Sequence, residues 1–172
     1  MQLRGMNRFF SLRVSLICKV PDLLVPLYTL PDIEQSSDFF VRKPMAYEAS
    51  EIQKWIGTNF TQGWASEVLP ALSKTPSTML IAVENSTGNI AAFCVWDCTA
   101  LGFLGPVGVA EKYRHKGLGK LITLSVLQRM KEAGYGYSII GSVSSVAFFK
   151  SICKLSVIEG STVGIYPEKL KC

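Results

Sequence analysis

The stretch Gly117–Ala133 constrains the chain more than any other. Leu118, Ile122, Val126 and Met130 recur every four residues and make one apolar stripe of a helix. Leu121, Leu124 and Leu127 make a second stripe beside it. A helix with two apolar stripes has to touch two other elements, so it belongs in a layered structure. Gly134 stands where a helix ends in a left-handed C′ residue.

The segments around this helix read as strands. Thr78–Glu84 and Ile90–Cys98 are apolar runs joined by Asn-Ser-Thr-Gly-Asn, a turn in which Gly88 can take positive φ. Leu101–Ala110 is a third strand with Gly102, Gly105, Pro106 and Gly108 inside it. Glycine and proline there mark a bend, a bulge or a place where a ligand meets the backbone. Tyr137–Val143 is the next strand, and Ser144 or Ser145 can cap a short helix running to Ile152. Ser161–Tyr166 reads as a last strand.

Before the hairpin, the pattern changes. Pro21, Pro26 and Pro31 exclude a regular helix from residues 21–38, which read as an irregular N-terminal arm. The strand Asp38–Arg42 follows and Pro44 stops it. Met45–Thr58 is helical, with Tyr47, Ile52, Trp55 and Ile56 near helical spacing. Thr61–Ser73 is a second helix with Trp64, Val68, Leu69 and Leu72 on one side, kinked or divided at Pro70. The order gives an α/β (α+β) domain over residues 38–172: a mixed, mostly antiparallel central sheet flanked by helices, with residues 1–37 as an arm.

Composition excludes several classes of function. With 48% apolar and 18% charged residues in 172, the chain is too apolar for disorder and long enough for one sizeable core. Charges, glycines and prolines interrupt every long apolar run, so no membrane span is expected. The net charge of +5 fits a solvated basic surface or attraction to an anion. No zinc-finger spacing or RNA-recognition signature supports a nucleic-acid partner. Five irregularly spaced cysteines argue for reduced thiols and a cytoplasmic protein. His115 is the only histidine, so no Cys/His metal site is expected. Residues 1–20 hold Arg4, Arg8, Arg13 and Lys19 without an acid; a targeting peptide is one reading, although Arg13 breaks the apolar run.

The chemistry concentrates at the start of the Gly117 helix. Arg114-His115-Lys116-Gly117-Leu118-Gly119-Lys120 joins a basic run to glycines at a helix N-terminus. Such a terminus presents unpaired amides and a partial positive charge, which suits a pyrophosphate. By pattern alone it is equally a basic turn with a glycine-rich cap. It lacks the spacing of a Walker loop and of a dinucleotide fingerprint.

The run Arg114–Gly119 resembles the Arg/Gln-x-x-Gly-x-Gly/Ala loop of the GNAT acetyltransferase superfamily. The resemblance extends over roughly Val41–Tyr166. It is similar to a bacterial subgroup through Gly63–Glu67 (Gly-Trp-Ala-Ser-Glu), Phe103–Gly108 (Phe-x-Gly-Pro-x-Gly), Gly134–Gly141 and Glu159–Tyr166. This likeness implies a fold in which two splayed strands hold coenzyme A. It implies that Arg114, His115, Lys116, Gly117, Leu118, Gly119 and Lys120 take the pyrophosphate of acetyl-CoA, and that Val107, Gly108 and Val109 pair with its pantetheine arm. The implied reaction is acetyl transfer to a primary amine by direct attack on the thioester. An amino sugar, a polyamine, an amino acid and a protein N-terminus all remain open as acceptors, and the protein is a monomer or homodimer.

One position departs from the family. Many members carry a tyrosine that can protonate the leaving thiolate, and by resemblance that position is Phe149, which has no proton to give. A catalytically weak or inactive CoA-binding sensor is therefore the alternative reading. Asp97, in an apolar strand, and Glu67, after Trp64, are the candidate bases. Each also reads as structural: Asp97 as a strand-end turn residue, Glu67 as part of a solvated helix face. Trp64, Glu67 and Tyr166 are candidate acceptor contacts, the tryptophan through its ring face and the glutamate through charge.

Overall fold

The computed structural model describes residues 20–162, 164 and 165. Among them seven strands form one sheet: β1 (Leu23–Pro26), β2 (Phe39–Arg42), β3 (Met79–Glu84), β4 (Ile90–Trp96), β5 (Phe103–Val109), β6 (Tyr137–Ile140) and β7 (Ser156–Val157). Their spatial order is β2-β3-β4-β5-β6-β1-β7. All neighbours are antiparallel except β5 and β6. Five helices accompany the sheet: α1 (Ala49–Asn59), α2 (Gln62–Glu67), α3 (Leu69–Ser73), α4 (Leu118–Glu132) and α5 (Val146–Ile152).

The apolar runs of β3 and β4 are buried on both faces, and strand alternation divides them between two cores. Leu80, Ala82, Ala92, Cys94 and Trp96 join the core that contains α4. Met79, Ile81, Val83, Phe93 and Val95 join the core beneath α1, α2 and α3. All seven stripe residues of α4 are buried, and the helix touches both the sheet and the 3-10 turn Leu27–Thr29. Its end is a complete Schellman motif: Gly134 at φ +96° donates to the Lys131 carbonyl, and Tyr135 donates to that of Met130.

Several boundaries differ from the sequence expectation. Leu23–Pro26, within the stretch read as an irregular arm, is β1, seated between β6 and β7. Pro21 lies outside the strand and Pro26 closes it, so the prolines exclude a helix without excluding a short strand. Tyr47 is 79% exposed and outside α1. A 3-10 turn, Ala46–Glu48, precedes α1, and the Glu48 carboxylate accepts from Met45 N (2.7 Å) and from Arg42. Pro70 divides the second helix, as one of the two expectations had it, and stands in the first turn of α3 where no backbone donor is needed. The described members of Ser161–Tyr166 form a turn, with Gly164 at φ +63° donating to the Ser161 carbonyl; Tyr166 lies outside the described residues. No helix among the described residues is long and apolar enough to cross a membrane.

Candidate functional site: a cleft where two parallel strands part

Strands β5 and β6 pair only at Phe103↔Ile139 and Leu104↔Ile140. Beyond Leu104 they diverge. Gly105, at φ +126°, turns β5 in a conformation that a side chain would resist. The rest of β5 stays with β4, through Val107↔Cys94, Gly108↔Phe93 and Val109↔Ala92. On the other side, Ser142 takes φ +52° and its amide donates to Asp22 Oδ1 at 2.7 Å, while Val143 N donates to the Pro21 carbonyl. The buried Asp22 thus holds the chain after β6 away from β5.

The parting leaves a cavity of about 420 Å³. Val107 of β5 forms one side and Ser142 the other. Phe148 and Phe149 of α5 and Trp64 and Glu67 of α2 also line it. Trp64 is fixed by an aromatic cluster, with ring centroids 5.5 Å from Phe60 and 6.1 Å from Phe93. Gly108 makes this cluster possible: a Cβ there would lie 2.7 Å from Phe60 Cζ and 2.8 Å from Phe93 Cε1. Thr61 caps α2 by accepting from Trp64 N at 3.1 Å, which fixes the helix that carries Glu67. Thr99 donates to Glu67 Oε1, and the Cys98 thiol donates to the Glu67 carbonyl at 2.7 Å. Burial holds that thiol above its ordinary value.

The basic loop begins at the end of β5. Tyr113 is buried, its hydroxyl donating to Glu84 Oε2 at 2.9 Å and its ring lying edge-on to Phe39. Hydrogen bonds from Thr87 and Tyr113 keep the Glu84 carboxyl below the usual glutamate value. Lys112 and Lys116 lie over the Tyr113 ring, their Nζ atoms 4.5 and 5.7 Å from its centre. Arg114 Nε donates to the Val109 carbonyl at 3.4 Å, which ties the loop to β5. His115 and Gly117 adopt φ +62° and +76°. The helical ladder of α4 starts with Leu121 N on the Gly117 carbonyl, so the amides of Leu118, Gly119 and Lys120 have no acceptor inside the helix.

Other anticipated residues fall elsewhere. Lys120 Nζ pairs with Glu34 at 3.1 Å, on the side of the loop where Ile33–Ser37 pass α4. Asp97 does not line the cleft. One of its oxygens accepts from Gly102 N and the other from the Tyr135 hydroxyl, both at 2.7 Å, so its carboxylate closes the β4–β5 turn. Its own φ of +54° suits that turn. Tyr135 is raised above the ordinary tyrosine value by donating to Asp97. Phe149 is buried at the cleft, with its centroid 5.0 Å from that of Phe148. Phe148 lies across Gly119, where a Cβ would sit 2.9 Å from its Cζ. Sequence reasoning missed Asp22, Ser142 and Phe148. The first two act through a contact 120 residues apart in the chain, which no local pattern reveals. Among the described residues no cluster of His, Cys, Asp and Glu could hold a metal ion.

Comparison with known proteins agrees with this geometry. A model of the acetyltransferase (GNAT) family matches residues 40–153. No curated protein matches. Among solved structures, a GCN5-related N-acetyltransferase from Sphaerobacter thermophilus is similar, with TM-score 0.65 and 18% identity over 81% of this chain and 49% of that one. One from Kribbella flavida has TM-score 0.57 and 20% identity over 80% of this chain and 54% of that one. The GCN5-related glucosamine N-acetyltransferase region of a fungal multi-domain GH3 β-N-acetylglucosaminidase has TM-score 0.65 and 16% identity, over 81% of this chain and 20% of that one. The chain thus spans about half or less of the length of these structures. The family match over residues 40–153, together with a sheet that opens between its parallel strands beside a basic glycine loop, establishes that this chain belongs to the GNAT acetyltransferase family.

Proposed function

We propose that the protein is an acetyl-CoA-dependent N-acetyltransferase that acts on the primary amine of a small molecule by direct attack. The observation that carries this reading is the parting of β5 from β6 into a cleft that Glu67 lines, with Phe148 reaching from the cleft wall to Gly119 of the basic loop. The residues present fit acetyl-CoA. The amides at the start of α4 are unpaired within the helix, Arg114 and Lys116 precede them in the loop, and among the described residues the edge of β5 beyond Leu104 has no strand partner on the β6 side. Acetyl-CoA supplies the activated thioester.

The chain supplies orientation and proton handling. The loop amides with Arg114 and Lys116 bind the phosphates. Val107 and Val109 align the pantetheine along the free edge of β5. Trp64 presents its ring to the acceptor, and Glu67, held by Thr99, takes the ammonium and then its proton, directly or through water. An aliphatic amine has a pKa of about 10.4, so it must lose that proton before it can attack. Glu67 lines the cleft and Asp97 does not, so Glu67 is the base we favour. Phe149 closes the cleft without offering a proton; the thiolate leaves unassisted or takes a proton from water. The free thiols Cys94, Cys98 and Cys153 support a cytoplasmic setting.

The test is calorimetry with acetyl-CoA on the wild type and on Gly119→Asp, followed by release of free thiol with a panel of amines. The variant should lose at least about a hundredfold in affinity, since it sets a carboxylate against phosphates at the helix start. Equal affinity in the two proteins would reject the loop as the phosphate site. Tight acetyl-CoA binding with no thiol release for any amine would reject the transferase.

A further inference from the structure

We infer that Thr99 is a positioning residue for Glu67, and that the β4–β5 turn which carries it is a brace that holds this carboxylate in the cleft. The inference rests on the transferase reading and deepens it. Glu67 lines the cleft and Thr99 does not, so the hydroxyl acts through the carboxylate rather than on a bound molecule.

The need for a brace follows from the helix that carries Glu67. With six residues, α2 is too short to be stable on its own, and Glu67 is its last residue. A glutamate at a helix end samples several rotamers unless a donor fixes it. Two adjacent residues of the β4–β5 turn meet both needs. The Cys98 thiol donates to the Glu67 carbonyl, one of those that a helix end leaves without an internal partner. The Thr99 hydroxyl donates to Glu67 Oε1, a hydrogen bond strengthened by the charge of its acceptor. Backbone and side chain of one residue are thus gripped from positions 31 and 32 residues further along the chain.

The turn can do this because it is itself fixed. Asp97 N donates to the Phe103 carbonyl at 3.0 Å, and Phe103 N to that of Ala100 at 3.2 Å. The Asp97 carboxylate spans the turn to Gly102 N and to the Tyr135 hydroxyl, while Lys74 Nζ donates to the Asp97 carbonyl at 2.9 Å. Tyr135 is set in turn by the end of α4, through its amide on the Met130 carbonyl. The two acids that the sequence offers as bases therefore stand in series. Asp97 shapes the turn, and the turn places Thr99 against Glu67.

Removing the hydroxyl alone isolates the effect. Thr99→Val keeps the shape of the side chain, and Thr99→Ser keeps the donor. The probes are glucosamine, spermidine, lysine and 2-phenylethylamine with saturating acetyl-CoA, followed by thiol release; the one that the wild type turns over fastest serves throughout. Thr99→Val should lower kcat at least about tenfold with an unchanged KM for acetyl-CoA, and Thr99→Ser should recover most of the loss. In a Glu67→Gln background Thr99→Val should cost little more, because the two residues act as a unit. Tyr135→Phe, which releases one Asp97 oxygen, should lower kcat severalfold in the same pattern; wild-type kcat there overturns the part given to Asp97. Wild-type kcat in Thr99→Val, no recovery in Thr99→Ser, or full losses that add in the double variant each overturn the inference. Crystal structures separate it from the transferase reading. Thr99→Val should show the Glu67 carboxylate displaced with α2 and the Cys98 contact in place, and an unmoved carboxylate overturns the inference. If the wild type turns over none of the four amines, the transferase reading falls and the crystal structures decide the inference.

Discussion

Replacing Gly108 with alanine tests how tightly the aromatic cluster braces β5. Gly108 has an extended backbone, so alanine meets no conformational barrier, and relief of glycine's excess chain entropy favours the variant by about 0.5–1 kcal/mol. Opposing this, the new methyl would lie 2.7 Å from two atoms of the Phe60 ring and 2.8 Å from Phe93 Cε1. Phe60 is half-buried and can yield; Phe93 has no exposed surface and cannot. Overpacking of this kind costs about 1–3 kcal/mol, so after the entropic gain the net loss should centre on about 1 kcal/mol. For a chain of this length that lowers Tm by roughly 2–4 °C. Gly136 provides the control, because a Cβ there meets nothing within 4 Å and its φ is ordinary; Gly136→Ala should raise stability slightly. Urea titration of both variants and of Phe60→Leu, alone and combined with Gly108→Ala, completes the assay. The double variant should lose less than the sum of the single ones. A Gly108→Ala protein as stable as the wild type would refute the claim that the cluster presses on β5.

Three further outcomes are expected. Phe149→Tyr should leave acetyl-CoA binding intact and raise turnover or leave it unchanged; the wild-type rate should climb with pH on one limb, and a falling limb that survives in the wild type would reveal a protein acid elsewhere. Phe148→Ala should speed association of CoA in stopped-flow mixing, because the ring lies across Gly119 between the loop and the cleft; an equal or slower rate would show that the ring does not obstruct entry. Glu48 is held below the ordinary glutamate value of 4.5 chiefly by its hydrogen bond from Arg42. Its contribution is therefore present above that value and lost as pH falls through the depressed one, so acid denaturation should be shallower in Glu48→Gln, and identical acid limbs would discount the pair.

Local pattern carried the sequence reading a long way. The stripes of α4, the Gly88 turn and the cap at Ser145 are all set by residues within a few positions of each other, and each stands where expected. The Gly and Pro content of β5 signalled the bend at Gly105. What could not be read was occupancy. In the sequence Asp97, in an apolar strand, and Glu67, after Trp64 on a helix, stand as equal candidates for the base. Only the fold reveals that Gly102 and Tyr135, at quite different distances along the chain, take both oxygens of Asp97. Lys120 likewise looks like part of the basic loop until Glu34 is found beside it. The β1 strand was hidden because Pro21, Pro26 and Pro31 dominate a stretch whose strand is only four residues long.

The position of β1 has a consequence for how the protein is made. Leu23 pairs with Ile140 on one side and with Val157 on the other, so a strand near the beginning of the described chain waits for partners more than a hundred residues away. During synthesis β2, β3, β4 and β5 emerge in an order that lets each pair with the one before it. The β6 side of the sheet has no such opportunity until nearly all of the described sequence has left the ribosome. Closing a loop of that size makes the contact order high and its formation slow. Since Asp22, at the start of that same strand, is what draws Ser142 away from β5, the cleft takes shape at this late closure. A nascent or partly folded chain would thus hold an intact hairpin region and α4 with no place yet for a substrate.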